Sequence, residues 1–274
     1  MAPQLDIRRS PTLPKMDSLK WNNAALAADL VPKKTADSFA IPDDHTQLVM
    51  MAKVAEQTER YDEMVLCMKK IVKQNAELSQ DERNLLSVAY KNVIGSRRSA
   101  WRIVTSIEAR ENEKGSSDNL AIIGTLRKQF ESELGAVCED LLNLLDTYLI
   151  PSAPGGESKV FYLKMKGDYH RYWAEVADGE DQKKAALTAY EAAHDAAKKG
   201  LASTHPIRLG LVLNLSVFHY EILKQHETGF NLAKEAYSDS VAEIDSLEGD
   251  EQRESGLIVQ LLEDNLKLWS EDQQ

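Results

Sequence analysis

Cysteine is nearly absent, with Cys67 and Cys138 the only two in 274 residues. Neither belongs to a CxxC or a Cys/His cluster, which argues against a disulfide framework or a zinc site and in favour of two buried thiols. No run of eighteen apolar residues occurs, and the N-terminus lacks the basic-then-apolar layout of a signal peptide. No membrane insertion is therefore expected, and the expected home is the cytoplasm, with the nucleus also open. Breakers are scarce too: 13 Gly and 8 Pro, five of the prolines (Pro3, Pro11, Pro14, Pro32 and Pro42) falling before residue 43. That scarcity favours long helices over many short strands. Positive charge is in deficit, 33 Lys plus Arg against 44 Asp plus Glu, a net charge of −11. Such a chain repels nucleic acid and anionic lipid, so no nucleic-acid partner is expected, and any anionic ligand needs basic residues gathered locally.

Catalytic signatures are missing as well. There is no GxGxxG, GxxxxGK[ST], HExxH, GxSxG or EF-hand loop. The six histidines show no metal-ligand spacing, and the abundant carboxylates form no recognisable acid/base pair. The chain is expected to be no enzyme and to need no cofactor or metal. Trp101 and Trp173 read as packing residues.

What is present is helical periodicity. Residues 1–43 have little of it and read as a flexible extension with a short helix near residues 20–30. Residues 44–272 read as one domain, and 273–274 as a short tail. Within the domain, apolar residues recur at helical spacing through residues 47–68, 81–113, 119–150, 158–177, 182–201, 205–225, 229–247 and 254–270. The breaks carry turn chemistry: Ser79 with Glu82 as a capping box, Gly115, Pro151 to Gly156, Gly179, Gly200 and His205-Pro206. Short connections imply antiparallel neighbours, so the expected fold is all-α, about nine antiparallel helices in one bundle.

Two basic stripes stand out. Lys91, Arg98 and Arg102, spaced seven and four apart, fall within about 40° of one another on a helix. Lys164 and Arg171 form a second seven-residue pair, with Tyr172 adjacent. Each stripe alone is either a solvated face or half of an anion site. Together they could converge on a phosphate, whose oxygens suit guanidinium forks and a tyrosine hydroxyl. Asn214 and Asn265 each interrupt an apolar stripe, Asn214 beside Leu213 and Val217 with Glu221 a turn on, Asn265 beside Leu257, Leu261 and Leu268. Each is either a locally satisfied core amide or a clamp for a peptide backbone.

The segments RNLLSVAYKNVIGSRRSAWR (residues 83–102), KVFYLKMKGDYHRY (159–172) and HPIRLGLVLNLSVFHYEIL (205–223), with further matches at 52–64 and 257–269, resemble the 14-3-3 family. The resemblance spans about residues 45–272. It implies a cup-shaped bundle of nine helices acting as a phosphoserine/phosphothreonine-peptide-binding adaptor that regulates phosphorylated client proteins in signalling. Lys91, Arg98, Arg171 and Tyr172 match the family's phosphate pocket, and Asn214 and Asn265 its peptide-backbone clamps. Leu213, Val217, Leu257, Ile258, Leu261 and Trp269 match its apolar groove wall, and Lys164 and Glu221 its polar flank. It also implies a homo- or heterodimer, in which Arg60 and Glu133 keep one expected pair. Another is lost, because Gln129 stands where the family has a lysine facing the position of Glu63; Leu126 and Ala100 replace an interfacial tyrosine and serine.

The extension contains Arg9-Ser10-Pro11-Thr12-Leu13-Pro14, similar to the Arg-Ser-x-Ser/Thr-x-Pro pattern such grooves prefer when phosphorylated. Arg9, phospho-Thr12 and Pro14 are a possible ligand for the chain's own groove or a neighbour's. The other readings are a helical scaffold binding unmodified peptides and a helical-bundle enzyme.

Overall fold

The computed structural model describes residues 40–115, 117–177 and 179–271. The Arg9, Thr12 and Pro14 motif, the short helix expected near residues 20–30 and residues 272–274 lie outside the described residues. Among those described there are nine helices of more than ten residues and no strand: α1 His45–Gln57, α2 Tyr61–Gln74, α3 Gln80–Lys114, α4 Ser117–Leu144, α5 Gly156–Ala177, α6 Glu180–Gly200, α7 Pro206–Val217, α8 His226–Glu243 and α9 Gly249–Glu271. Two of them run on through a π-helical turn, α4 through Leu145–Leu149 and α7 through Phe218–Ile222.

The punctuation works as its chemistry requires. Ser79 Oγ accepts from Glu82 N–H at 3.3 Å and Glu82 Oε2 accepts from Ser79 N–H at 2.8 Å, so two otherwise orphaned donors at the start of α3 are satisfied reciprocally. Gly115 closes α3 in the left-handed conformation, φ 71°, which costs glycine nothing. Pro206 sits at the first turn of α7, where its missing N–H is not needed, and His205 Nδ1 accepts from Ile207 N–H at 3.2 Å. One break has no such signal. Residues 47–68 read as a single helix, but the chain turns at Thr58–Arg60 with Glu59 at φ 56°, and α1 and α2 are separate. Thr58 Oγ1 donates back to Val54 O at 2.8 Å and helps end α1.

Successive helices pack as antiparallel neighbours. Between α3 and α4, Glu111 receives Asn119 at 3.0 Å, Glu108 pairs with Arg127 at 2.8 Å, and Glu131 receives Trp101 Nε1 at 3.1 Å, so numbers rise along one helix as they fall along the other. Upstream of α1, Lys70 holds Asp43 at 2.6 Å and Gln74 donates to Asp43 O at 2.8 Å. Helix α6 presents Ala186, Ala189, Ala193 and Ala197, spaced three or four apart and all buried, a row small enough for close approach of its neighbours. A core cluster of Val160, Tyr190, Leu211, Leu215 and Phe218 with three of those alanines joins α5, α6 and α7. A second, centred on Leu209, Tyr220, Val259, Leu262 and Trp269, joins α7, α8 and α9. These two cores fix the relative placement of α5, α7 and α9, which carry most of the candidate site. Cys67 and Cys138 are free and wholly buried.

Candidate functional site

The basic stripe of α3 and that of α5 meet. Arg98 lies 4.1 Å over the Tyr172 ring and Arg171 lies 4.6 Å from the same ring, so one aromatic ring is shared by two guanidiniums. The cations are held apart by carboxylates from α5. Glu175 takes the Arg98 fork: Nη2 donates to Oε1 at 2.7 Å and Nε to Oε2 at 3.0 Å. Arg102 approaches the same carboxylate at 3.5 Å and Arg171 at 3.7 Å.

Asp168 organises the other side. Its carboxylate accepts from Lys164 Nζ at 2.8 Å, from Asn214 Nδ2 at 2.7 Å, from Arg171 Nη2 at 3.4 Å and from the Tyr190 hydroxyl. Tyr190 OH in turn accepts from Arg171 Nε at 3.0 Å. Burial by itself would push the Asp168 carboxyl up, but Lys164 and Arg171, with hydrogen bonds from Lys164 and Tyr190, hold it below the usual carboxylate range. Burial likewise opposes the charge on Arg171, yet Tyr190, Tyr172, Asp168 and Glu175 keep its pKa well above the ordinary value. Burial pushes the Tyr190 phenol well up, so at neutral pH it is a neutral donor. Arg171 is thereby a permanent, oriented cation with a side chain only 12% exposed.

Of the residues singled out in the sequence, Arg98, Arg171 and Tyr172 come together directly, and Lys164 and Asn214 join them through Asp168. Lys91 lies two turns before Arg98 on α3, exposed and without an ion-pair partner among the described residues. The apolar residues adjoin this cluster at Gly210: a methyl placed there would lie 3.8 Å from Lys164 Cε and 3.9 Å from Ile258 Cδ1. Leu213, Val217 and Ile258 pack on the second core cluster with their other sides partly open, Leu261 is likewise half-buried, and Leu257 is exposed. Glu221 is exposed on the turn that extends α7. Asn265 is half-buried, with no side-chain hydrogen bond among the described residues. Trp269 is 2% exposed and stacks on Tyr220 at 4.3 Å, its ring completing the core between α7 and α9 behind these residues. Arg60 pairs within its own protomer with Glu63 at 2.7 Å, and Glu133 accepts from Gln129 at 3.0 Å.

Asp168, Glu175 and Tyr190 were not among the candidates. The two carboxylates had a readable signal, since Asp168 is four residues from Lys164 and three from Arg171, and Glu175 four from Arg171. Tyr190 had none, because it arrives from a different helix. Chemically, four cations (Arg98, Arg102, Lys164 and Arg171) hold two carboxylates beside a partly open apolar strip, with Lys91 exposed two turns before Arg98 on α3. That is a site for an anionic group on an otherwise apolar ligand. Among the described residues no group of three or more His, Cys, Asp or Glu could hold a metal ion.

A family model described as "14-3-3 protein" matches residues 51–270. The chain belongs to the 14-3-3 family. It is 58% identical over 229 residues to 14-3-3 protein epsilon of Drosophila melanogaster, covering 82% of this chain and 87% of that one. It is 55% identical over 233 residues to the 14-3-3-like protein GF14 chi of Arabidopsis thaliana, covering 83% and 87%. It is 56% identical over 229 residues to the 14-3-3 family protein artA of Aspergillus flavus, covering 82% and 96%. At these identities this 14-3-3 chain is a phosphopeptide-binding adaptor. Proteins of the 14-3-3 family are adaptors rather than enzymes, bind phosphorylated clients and in general dimerise. No described helix is long and apolar enough to cross a membrane.

Proposed function

We propose that Lys91, Arg98, Arg171 and Tyr172 hold the phosphate of a client's phosphoserine or phosphothreonine. Asn214 and Asn265 then clamp the peptide backbone, while Leu213, Val217, Leu257, Ile258 and Leu261 receive flanking apolar side chains. Lys164 and Glu221 flank the groove, and Trp269 supports the wall from the core. The observation that carries this reading is the meeting of Arg98 and Arg171, from two separate helices, on one tyrosine ring. Two guanidiniums so placed can each offer paired N–H donors to phosphate oxygens, and charge-assisted bonds of this kind contribute roughly 1.5–3 kcal/mol each. Asn214 gives its amide N–H to Asp168 and so keeps its carbonyl oxygen free for a peptide N–H.

The test is titration of a phosphorylated Arg-Ser-x-Ser-x-Pro peptide against wild type and Arg98→Ala. The variant is expected to lose at least ~2 kcal/mol, roughly thirtyfold in affinity. No binding by wild type, or equal binding by both, overturns the assignment.

The same proposal includes a homo- or heterodimer. Met50 and Val54 on α1, Ile103 on α3, and Ile122 and Leu126 on α4 are exposed, so an apolar contact between these helices does not need the missing Glu63–lysine pair, which as a surface pair is worth ~0–1 kcal/mol. Arg60 and Glu133 are proposed to contribute at its rim. It further includes a binding body of residues 44–272, residence in the cytoplasm with access to the nucleus, and the phospho-Thr12 motif as a tethered competitor for the groove. About 33 residues separate Thr12 from the first helix, and tethering on that scale gives an effective concentration on the order of millimolar. Deleting residues 1–43 from Thr12-phosphorylated protein is expected to raise affinity for a free phosphopeptide; unchanged affinity refutes self-occupation.

A further inference from the structure

The phosphate cluster already has an anion in it. Glu175 accepts both N–H groups on one edge of Arg98, at 2.7 and 3.0 Å, and lies 3.5 Å from Arg102 and 3.7 Å from Arg171, with its side chain 13% exposed. Three guanidiniums from α3 and α5 thus share one carboxylate. Asp168 is different: it is more deeply enclosed and takes four donors, including Tyr190 and Asn214, which present no charge to a ligand. The polar partners of Glu175 are all cations, two of which, Arg98 and Arg171, are the ones proposed to hold the phosphate.

We infer that Glu175 is an internal anionic ligand of the cluster, which an incoming phosphate displaces from the Arg98 fork. The inference rests on the phosphate-site reading above. Displacement sets what the groove can hold. A ligand aspartate or glutamate brings one charge and two oxygens, replacing Glu175 with its own chemical equivalent. Glu175 is tethered and therefore present at high effective concentration, so a free carboxylate loses that exchange. A phosphate monoester near neutral pH brings close to two charges and three strong acceptor oxygens, enough to occupy Arg98 and Arg171 together and win it. Glu175 accordingly keeps an otherwise strongly cationic cluster from filling with ordinary acidic side chains, including those of a chain whose own net charge is −11.

The experiment uses the full chain and two peptides identical except at one position, phosphoserine in one and glutamate in the other. Each is titrated at pH 7.5 and one salt concentration against wild type, Glu175→Gln and Glu175→Asp. Glu175→Gln is expected to bind both peptides at least about tenfold more tightly than wild type, ~1.4 kcal/mol, bringing the glutamate peptide into measurable range. Glu175→Asp keeps the charge but is a methylene too short to span the same fork, and is expected to tighten binding by a smaller factor. Unchanged or weaker phosphopeptide binding by Glu175→Gln overturns the inference and makes Glu175 a positioning residue. Glu175→Asp matching wild type overturns it too, because net charge and not contact would then be responsible. If wild type fails to bind the phosphopeptide, the phosphate-site reading itself falls. Should a variant be less stable, the melting-temperature rise caused by each peptide, taken against that variant's ligand-free value, reads the same ranking.

Discussion

Asp168→Asn is the perturbation that should reach furthest, because one buried carboxylate supports residues from three helices. It is 7% exposed, and it accepts from Lys164 at 2.8 Å, Asn214 at 2.7 Å, Arg171 at 3.4 Å and the Tyr190 hydroxyl. Asparagine keeps the volume but removes the charge and turns an N–H₂ toward donors. Removing one partner of a buried ion pair typically costs ~3–5 kcal/mol. Lys164 is 24% exposed and can turn its ammonium to water, whereas Arg171 at 12% cannot, so the low end, about 3 kcal/mol, applies. Urea denaturation of both proteins at pH 7 measures it.

The pH dependence has a definite sign. Asp168 titrates below its unfolded value of about 3.9. A depressed carboxyl contributes stability that is complete above the unfolded pKa and is lost as pH falls through it toward the folded pKa. The wild-type advantage should therefore hold from pH 7 to about pH 5 and shrink once pH drops below about 4. A difference under about 1 kcal/mol at pH 7, or one that grows on acidification, refutes the view that Asp168 is a charged keystone.

Other perturbations test the packing behind the site. In Gly167→Ala the new methyl would lie 2.6 Å from the Tyr190 ring, so the ring must shift and its hydroxyl must leave Asp168 and Arg171; calorimetric titration should show phosphopeptide affinity reduced about tenfold, and unchanged affinity would dissociate Tyr190 from ligand binding. Gly229→Ala would place a methyl 2.6 Å from Ser216 O and 2.9 Å from Tyr220 N, both backbone atoms that cannot swing aside; thermal unfolding should show a loss of ~1–3 kcal/mol. Burial pushes the Cys138 thiol up to about 12 and raises Cys67 as well, so a thiol-reactive dye at pH 8 should leave both unmodified in the native protein and label both in denaturant.

How much of this was legible from sequence depended on whether a contact runs along one helix or between two. The capping box at Ser79 and Glu82 was readable because it spans four consecutive positions, and so were Gly115 and Pro206. The α1–α2 break was not: Thr58, Glu59 and Arg60 include neither glycine nor proline, and Glu59 takes a positive φ that its residue type does not announce. The same division runs through the site. Lys91, Arg98 and Arg102 form a stripe by spacing alone, and so do Lys164 and Arg171, but no spacing states that the two stripes face each other. That was supplied by likeness to known segments, and the geometry then joined Arg98 to Tyr172 and Glu175.

Trp269 and Tyr190 mark the limit from opposite sides. Each is a large aromatic whose role is set by what other helices bring to it. Trp269 is a wall residue by family resemblance alone, and what its own helix does not announce is that Tyr220 stacks on its ring from the core. Tyr190 lies in a row of alanines that announces close packing and nothing else, although Gly167 opposite it leaves the room that lets its hydroxyl reach Asp168 and Arg171. Spacing within a helix therefore identifies which charges a binding site can offer, while the groups that orient those charges belong to the packing and appear only when helices are brought together. Glu175 lies between the two cases: its spacing of four from Arg171 is readable, yet a carboxylate is not expected where an anion is to bind. If it is the anion that a phosphate replaces, that unexpected residue sets the charge a ligand must bring.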